Sequence, residues 1–123
     1  MPLTILLVED DAACRTSLAE ALEFSGHVVH TAVDGQDALE RLNGHPIDVV
    51  VTDLMMPRLG GLELIDRLGA HQPGLPVILV TAFANAPEGQ VALDHGAFAV
   101  LHKPIDLDRL EELVERAGAS LRP

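Results

Sequence analysis

Five short apolar runs, separated by longer amphipathic stretches, constrain the fold of this sequence more than any other feature. Each run is rich in Val, Leu, Ile or Ala and is bounded by polar residues, as expected for a strand buried on both faces of a parallel sheet. The runs predict strands over residues 3–8, 27–32, 47–52, 77–81 and 98–102. Strands of this kind need a layer of helices on each side.

The stretches after the strands place apolar residues three or four positions apart, which predicts five amphipathic helices. The first covers about residues 11–25 and ends at Gly26, and the second begins near Asp34 and Gly35. The fourth is weak, with Pro87 in its first turn, where a missing N–H is tolerated. The apolar stripes of the other helices are Cys14, Leu18, Ala21 and Leu22; Ala38, Leu39 and Leu42; Leu62, Ile65 and Leu68; and Leu107, Leu110, Leu113, Val114 and Ala117.

The alternation of strands and helices predicts an α/β fold with a doubly wound, five-stranded parallel sheet and helices on both faces. Right-handed crossovers favour the strand order 2-1-3-4-5. The 123 residues suit one domain, residues 1–123, and the sequence shows no internal repeat, low-complexity tract or interdomain linker.

Charge and composition argue against several kinds of partner. A formal net charge of -11 repels a nucleic acid backbone, and the absence of Trp and Tyr removes the usual stacking platform for single strands. The N-terminal residues lack the basic region of a signal peptide, and no apolar segment is long enough to span a bilayer, so no membrane contact is expected. Cys14 is the single cysteine, which excludes an internal disulfide and favours a cytoplasmic location.

Polar residues stand where four of the predicted strands end. Glu9 and Asp10 follow the first strand, Asp53 follows the third, Thr81 ends the fourth and Lys103 follows the fifth. Ligands of doubly wound sheets bind outside the carboxyl ends of the strands, where the strand order reverses. Because strands one and three are neighbours in the predicted order, Asp10 and Asp53 are expected to lie close together.

Carboxylates crowded at one edge of a sheet repel each other unless a cation binds them. Mg²⁺ prefers oxygen ligands and combines one or two carboxylates with water and phosphate oxygens; Mn²⁺ is an alternative ion. Mg²⁺ and the Lys103 ammonium together balance the charges of Glu9, Asp10 and Asp53. Such a site has the parts for phosphoryl transfer, namely a carboxylate nucleophile, a metal, an ammonium and the Thr81 hydroxyl.

Each of these residues alone has an ordinary explanation. Strand-end acids, a β-branched Thr81 and a solvated Lys103 are common, and Asp53 alone would suit a turn ahead of Pro57. Asp11 is more simply explained as the N-cap of the first helix than as a ligand. The functional interpretation depends on the occurrence of these residues together, at the ends of four strands of one fold.

Four segments of the sequence match a known pattern. They are ILLVEDD at 5–11, VVVTDLMMPRLGGLELI at 49–65, PVILVTA at 76–82 and GAFAVLHKPID at 96–106. Through them the chain resembles, along essentially its whole length, the receiver domain of two-component response regulators, with its chemotaxis-regulator-like, flavodoxin-like fold. The resemblance implies that a sensor histidine kinase or phosphotransfer protein transfers a phosphoryl group to Asp53, itself also a metal ligand, and that a partner or output domain responds.

The resemblance also implies a role for the other strand-end residues. Asp10 would bind the metal directly, Glu9 mainly through water, and Met55 through its backbone carbonyl. Lys103 would pair with the phosphoryl oxygens, and the Thr81 hydroxyl would donate to them, which changes the surface of helix four, strand five and helix five. Such a domain catalyses its own phosphorylation and slow dephosphorylation and is not a turnover enzyme. The sequence leaves the formation of a homodimer open.

The chain departs from the family pattern in three places, of which the apolar pair Met55 and Phe83 is the third. Val100 replaces an aromatic residue that often stands three positions before the lysine, and one hypothesis is that Phe98, one pleat back on the same strand face, partly substitutes for it. Gly60 replaces a frequent Asp or Asn, so its turn is expected to lack a side-chain hydrogen bond. Pro104 agrees with the pattern, in which the Lys-Pro peptide bond is usually cis.

Other functions fit the sequence less well. A phosphorylation-independent interaction module of the same fold would not need the acids, the threonine or the lysine, yet all are present. A haloacid-dehalogenase-like, metal-dependent phosphatase needs an Asp-x-Asp pair after its first strand, whereas Asp10 and Asp11 are adjacent. A P-loop and the Ser/Thr-rich loop of a flavodoxin-like electron carrier are both missing. The six histidines show no zinc-type i, i+4 pair, so surface or loop positions are expected for them.

Met55 and Phe83 follow Asp53 and Thr81 by two residues, at positions that, by the resemblance, face the water attacking the acyl phosphate. Because apolar side chains do not assist that water, self-dephosphorylation is expected to be slow. Polar substitutions at both positions should shorten the lifetime of the phosphorylated form in a timed dephosphorylation assay. An unchanged lifetime would contradict this expectation.

Overall fold

Strands and helices alternate along the chain in the computed structural model, which describes residues 2–54, 56, 58–82 and 87–119. The strands are β1 (Thr4–Val8), β2 (Val28–Ala32), β3 (Val49–Asp53), β4 (Val77–Thr81) and β5 (Ala99–His102). The helices are α1 (Ala12–Phe24), α2 (Gly35–Leu42), α3 (Gly61–His71), α4 (Pro87–Asp94) and α5 (Leu107–Ala119). Every predicted element is present, and the strand boundaries differ from the predicted ones by at most two residues.

All five strands run parallel, in the predicted order β2-β1-β3-β4-β5. The sequence predicted that β3 ends at Thr52, but the strand continues for one more residue because Asp53 still pairs with Val80 of β4. Asp53 is therefore the last residue of a central strand, and its pairing with β4 fixes its backbone.

Alternating side chains of the central strands pack into two hydrophobic layers, one on each face of the sheet. Ile5 and Leu7 of β1 pack in the layer with α1 and α5, whereas Leu6 and Val8 pack in the layer with α2 and α3. The helix residues of the first layer include Leu18, Leu22, Leu110, Leu113, Val114 and Ala117. Those of the second include Ala38, Leu42, Leu64, Ile65, Leu68 and Ala92. These two layers confirm the doubly wound architecture.

The edge strands β2 and β5 correct the expectation that every strand is buried on both faces. Val28 at the start of β2 and His102 at the end of β5 are exposed, and most of their strand neighbours are only partly buried. An edge strand has a hydrogen-bonded neighbour on one side only, so fewer groups cover it.

Side-chain caps begin the first two helices. Asp11 Oδ2 accepts a hydrogen bond from the Cys14 N–H at 2.8 Å, which confirms the predicted N-cap of α1. Asp34 Oδ1 accepts one from the Asp37 N–H at 2.8 Å and caps α2. As predicted, α3 begins after Gly60 without a side-chain cap.

The longest described helices, α1 and α5, have 13 residues each. A helix that crosses a bilayer needs about 20 mostly apolar residues. Within the described part of the chain, no helix combines the length and the apolar character needed to span a membrane.

Substitution by alanine is expected to change the free energy of unfolding in opposite directions at two glycines of α3. Gly61 begins the helix, and Gly69 lies in its interior. A Cβ at Gly61 would lie 2.6 Å from the Asp53 carbonyl oxygen, whereas a Cβ at Gly69 would meet nothing within 4 Å. We expect Gly61→Ala to lower the free energy of unfolding by about 1–3 kcal/mol and Gly69→Ala to raise it by about 0.5–1 kcal/mol. Urea denaturation followed by circular dichroism measures both. A stabilising Gly61→Ala would show that α3 does not pack this closely on β3.

Candidate functional site

Three carboxylates converge at the carboxyl ends of β1 and β3. One oxygen from each of Glu9, Asp10 and Asp53 lies within 4.8 Å of the others. Only 3% of Glu9 is exposed, whereas Asp10 is exposed and Asp53 is half-buried. This acidic group is therefore anchored in the fold and opens to solvent on the side of Asp10.

Hydrogen bonds of the β1–α1 connection hold Glu9 in place. The Glu9 N–H donates to the Ala32 carbonyl at 3.0 Å, which continues the pairing of β1 with β2 beyond Val8. Arg15 Nη1, from α1, donates to the Glu9 carbonyl at 2.8 Å. Glu9 Oε2 accepts from the Asp11 N–H at 3.1 Å, so Oε1 is left for a different partner.

That partner is Lys103, which lies between two of the carboxylates. Its Nζ donates to Asp53 Oδ2 at 3.0 Å and to Glu9 Oε1 at 3.1 Å. Burial alone would lower the pKa of Lys103, but hydrogen bonds to Asp53 and Glu9 and the charges of both acids outweigh it and raise the pKa above its ordinary value. Lys103 is therefore a cation at neutral pH that two acids share.

Both carboxylate oxygens of Asp53 accept hydrogen bonds. Oδ1 accepts from the Leu54 N–H at 2.7 Å, and Oδ2 accepts from Lys103. Thr81 is fully buried at the end of β4, one residue beyond Val80, which pairs with Asp53. The Thr81 carbonyl accepts from the Lys103 N–H at 2.9 Å. Thr81 thus lies beside the strand ends that carry Asp53 and Lys103.

The composition of the site fits a hard divalent cation. Three carboxylates and one ammonium leave two formal negative charges uncompensated. The acidic group offers only oxygen ligands, which suits Mg²⁺ or Mn²⁺. Burial raises the pKa of the neighbouring Cys14 thiol to about 11, and a hydrogen bond with Glu9 adds to this. The Cys14 thiol therefore stays protonated at neutral pH, and Cys14 packs against the hydrophobic layer with α1 and α5.

An ion pair beside the site was not anticipated from the sequence. Asp34, expected only to mark the start of the second helix, is buried and accepts hydrogen bonds from Arg58 Nε at 2.6 Å and Nη2 at 3.0 Å. The hydrogen bond from Arg58 holds the pKa of Asp34 below its usual range, against the opposing effect of burial. The two residues are 24 positions apart and neither has an unusual local pattern, so the sequence carried no signal for their pairing.

His27 lies in the connection between α1 and β2, in agreement with the expected surface or loop positions, but it is not on the surface. It is buried, and its Nδ1 accepts from the Leu3 N–H at 3.0 Å, so the ring proton is on Nε2, 2.7 Å from Glu111 Oε1. His27, Glu111 and Glu115 bring ligand atoms within 4.8 Å. Because Nε2 donates a proton, it has no lone pair to offer to a metal. The contact ties α5 to the start of the sheet.

The structure also tests two expectations about β5 and the residues that follow it. The Lys103–Pro104 peptide bond is cis, as the resemblance implies. Val100 packs against the hydrophobic layer under α2 and α3. The Phe98 N–H donates to the Val77 carbonyl at 2.7 Å, at the opposite end of β4 from Thr81. This position does not support the hypothesis that Phe98 substitutes for an aromatic residue near Thr81.

Met55, whose carbonyl the resemblance assigns to the metal, and Phe83 lie outside the described residues. Their expected roles therefore stay predictions. The described part of the site consists of residues from four strand ends, namely Glu9, Asp10, Asp53, Thr81 and Lys103.

Comparison with known proteins identifies the class to which this fold and site belong. A model of the response regulator receiver domain matches residues 5–115, a span that includes every described site residue. The chain belongs to the response regulator receiver domain family.

Known relatives match the sequence of this chain over 99% of its length. The response regulators MprA of Mycolicibacterium vanbaalenii and Mycobacterium tuberculosis are 43% and 42% identical over 122 residues. Each comparison covers 99% of this chain and 52% of the relative, so the chain spans about half the length of the curated relatives it matches. The receiver domain of the Francisella response regulator 1452 superposes with a TM-score of 0.91 at 28% identity, over 98% of this chain and 99% of that one. NtrX from Brucella abortus gives a TM-score of 0.92 at 33% identity, over 98% of this chain and 28% of NtrX.

The uncompensated charge of the site predicts that Asp10→Asn stabilises the metal-free protein. The change relieves repulsion among three carboxylates, and the exposed amide stays hydrated. We expect the free energy of unfolding in EDTA to rise by about 0.5–1 kcal/mol in urea denaturation. Glu20→Gln, on the exposed face of α1, removes the same charge outside the acidic group and should have a smaller effect. Equal effects would indicate that the net charge of the protein matters and not the local repulsion.

Proposed function

We propose that this domain is a phosphorylation-controlled switch that accepts a phosphoryl group on Asp53 from the phosphohistidine of a sensor histidine kinase or phosphotransfer protein. The observation that carries the proposal is the convergence of three carboxylates and Lys103 at the end of β3, in a chain of this family. A carboxylate nucleophile beside an ammonium and an oxygen-rich cation site meets the requirements of phosphoryl transfer.

Glu9, Asp10 and Asp53 would hold Mg²⁺ or Mn²⁺, with the backbone carbonyl of Met55 as a further ligand. The proposal is supported by the all-oxygen donor set and by the two negative charges that Lys103 leaves uncompensated. When bound, the cation neutralises the acids and stabilises the charge of the transferring phosphoryl group.

In the transfer step, an Asp53 oxygen forms a bond to phosphorus while the phosphorus–nitrogen bond to the kinase imidazole breaks. The electron pair of that bond stays on the imidazole nitrogen, so no further reactant is needed. Lys103 Nζ already lies 3.0 Å from Asp53 Oδ2 and would follow the phosphoryl oxygens. The Leu54 N–H fixes Oδ1 at 2.7 Å and limits rotation of the carboxylate.

Lys103 and Thr81 would connect phosphorylation to a distant surface. Lys103 follows β5, and Thr81 precedes the segment that leads to α4. A phosphoryl group that draws Lys103 away from Glu9 and accepts a hydrogen bond from the Thr81 hydroxyl changes contacts at the ends of both strands. The surface of α4, β5 and α5 would change with them, and a downstream protein, an output domain or a second copy of the chain would respond.

The domain would catalyse its own phosphorylation and slow dephosphorylation without acting as a turnover enzyme. Direct binding of nucleic acid by this domain is disfavoured by its net charge of -11. Because the MprA relatives are about twice as long as the matched region, an output function outside that region is part of the proposal. A phosphorylation-independent interaction module of the same fold is the alternative.

Acetyl phosphate, a small phosphoryl donor, tests the proposal without a kinase. We expect the wild-type protein to gain a single phosphoryl group in the presence of Mg²⁺, measured by intact mass, because the site supplies nucleophile and cations together. Asp53→Asn and EDTA should each abolish the gain. Asp11→Asn, which keeps the α1 cap beside the site, should leave it intact.

Three outcomes would contradict the proposal. Phosphorylation that persists in Asp53→Asn would place the acceptor elsewhere, and absence of any gain in the wild type would favour the interaction module. Repeated hydrolysis of acetyl phosphate without a stable phosphorylated form would favour a phosphatase.

A further inference from the structure

The ion pair of Asp34 and Arg58 joins the start of α2 to the loop between β3 and α3, which follows Asp53 directly. Arg58 donates from Nε and from Nη2 to different oxygens of the carboxylate, at 2.6 and 3.0 Å. The Asp34 side chain is only 6% exposed, although that of Arg58 is 59% exposed. A bidentate pair with one buried partner has a fixed geometry, unlike a pair of long surface side chains.

The backbone around Arg58 is adapted to this contact. Arg58 has a φ of 66° and is the one non-glycine residue with positive φ in the part of the chain that the structure describes. Residues with a Cβ rarely adopt this conformation. The carbonyl of the buried Leu59 accepts from the Gly35 N–H at 3.1 Å, and a Cβ on Gly35 would lie 2.5 Å from that oxygen. Two adjacent contacts therefore fasten the loop to the start of α2.

The end of the same loop is connected to Asp53. The Gly61 N–H donates to the Leu54 carbonyl at 2.9 Å, which closes the loop at its base. Gly61 also packs on the Asp53 carbonyl so closely that a Cβ would lie 2.6 Å from it. The Leu54 N–H in turn holds Asp53 Oδ1. A series of contacts thus runs from Arg58 through the loop backbone to the carboxylate of Asp53.

We propose that Asp34 and Arg58 are positioning residues for the acidic site, and that their ion pair sets its affinity for a divalent cation and its rate of phosphorylation. This inference rests on the proposed function. Neither residue belongs to the acidic group or touches the reacting atoms. Loss of the pair leaves the carboxylates of Glu9, Asp10 and Asp53 unchanged but frees the loop, so Asp53 spends less time in the orientation that shares a cation with Glu9 and Asp10.

Mn²⁺ is a suitable probe, because the electron paramagnetic resonance signal of the free ion reports binding independently of phosphorylation. Arg58→Ala removes the ion pair. Asp34→Asn removes the negative charge of the pair, while the Asn side chain still caps α2. We expect each variant to raise the Kd for Mn²⁺ by about tenfold and to slow labelling by acetyl phosphate, with an unchanged circular dichroism spectrum. Arg58→Lys keeps the charge without the bidentate geometry and should restore part of the affinity.

Two controls separate the pair from other effects. Arg41→Ala removes an arginine that faces Asp37 at 3.5 Å on the exposed side of α2, and it should bind Mn²⁺ as the wild type does. Arg58→Gly removes the pair and relieves the positive φ, since glycine adopts this conformation freely. We expect it to bind as weakly as Arg58→Ala; wild-type affinity would overturn the inference, because the pair would then be dispensable.

The result for the wild type distinguishes this inference from the proposed function. If the wild type binds Mn²⁺ and the Asp34 and Arg58 variants bind it equally tightly, the positioning role is wrong and the proposed function stands. If the wild type binds no Mn²⁺, both are wrong.

Discussion

The contact of Lys103 with Glu9 and Asp53 is the interaction on which the rest of the site depends. The acids stand at the ends of neighbouring parallel strands, and the register of the sheet gives them little freedom to move apart. Lys103 reaches both from the end of β5 and compensates for part of their repulsion. Because one ammonium does not neutralise three carboxylates, the site suits the divalent cation of the proposed function.

The sheet fixes the positions of the site residues, and the connections beyond the strand ends fix the orientations of their side chains. Buried side chains on both faces hold β1, β3 and β4 in register, which fixes the positions of Glu9 and Asp53. The connections beyond the strand ends then determine orientation: Arg15 holds the Glu9 carbonyl, and Leu54 holds one oxygen of Asp53. Close contacts at Gly35 and Gly61 show that the loop after Asp53 is packed from two sides. Acids that repel each other are kept together here because packing elsewhere stabilises the sheet.

Much of the fold followed from local patterns in the sequence. Apolar runs gave the strands, three- and four-residue spacings gave the helices, and strand order brought Asp10 and Asp53 together. The predicted end of β3 was one residue too early, because the strand stops where its pairing with Val80 of β4 stops and not where local composition changes. The ion pair of Asp34 and Arg58 and the burial of His27 were missed because each depends on a partner distant in the chain. Phe98 was misplaced because alternation along a strand gives the face of a side chain but not its distance from Thr81.

Calorimetric titration with Mg²⁺ tests most directly whether the gathered carboxylates form a single cation site. The account predicts that the wild-type protein binds about one ion per chain and that Asp53→Asn weakens this binding by about tenfold or more, since a shared ligand is lost. Diffuse binding of several equivalent ions, or an unchanged affinity in Asp53→Asn, would show that Asp53 does not lie at the centre of a cation site and would contradict the account.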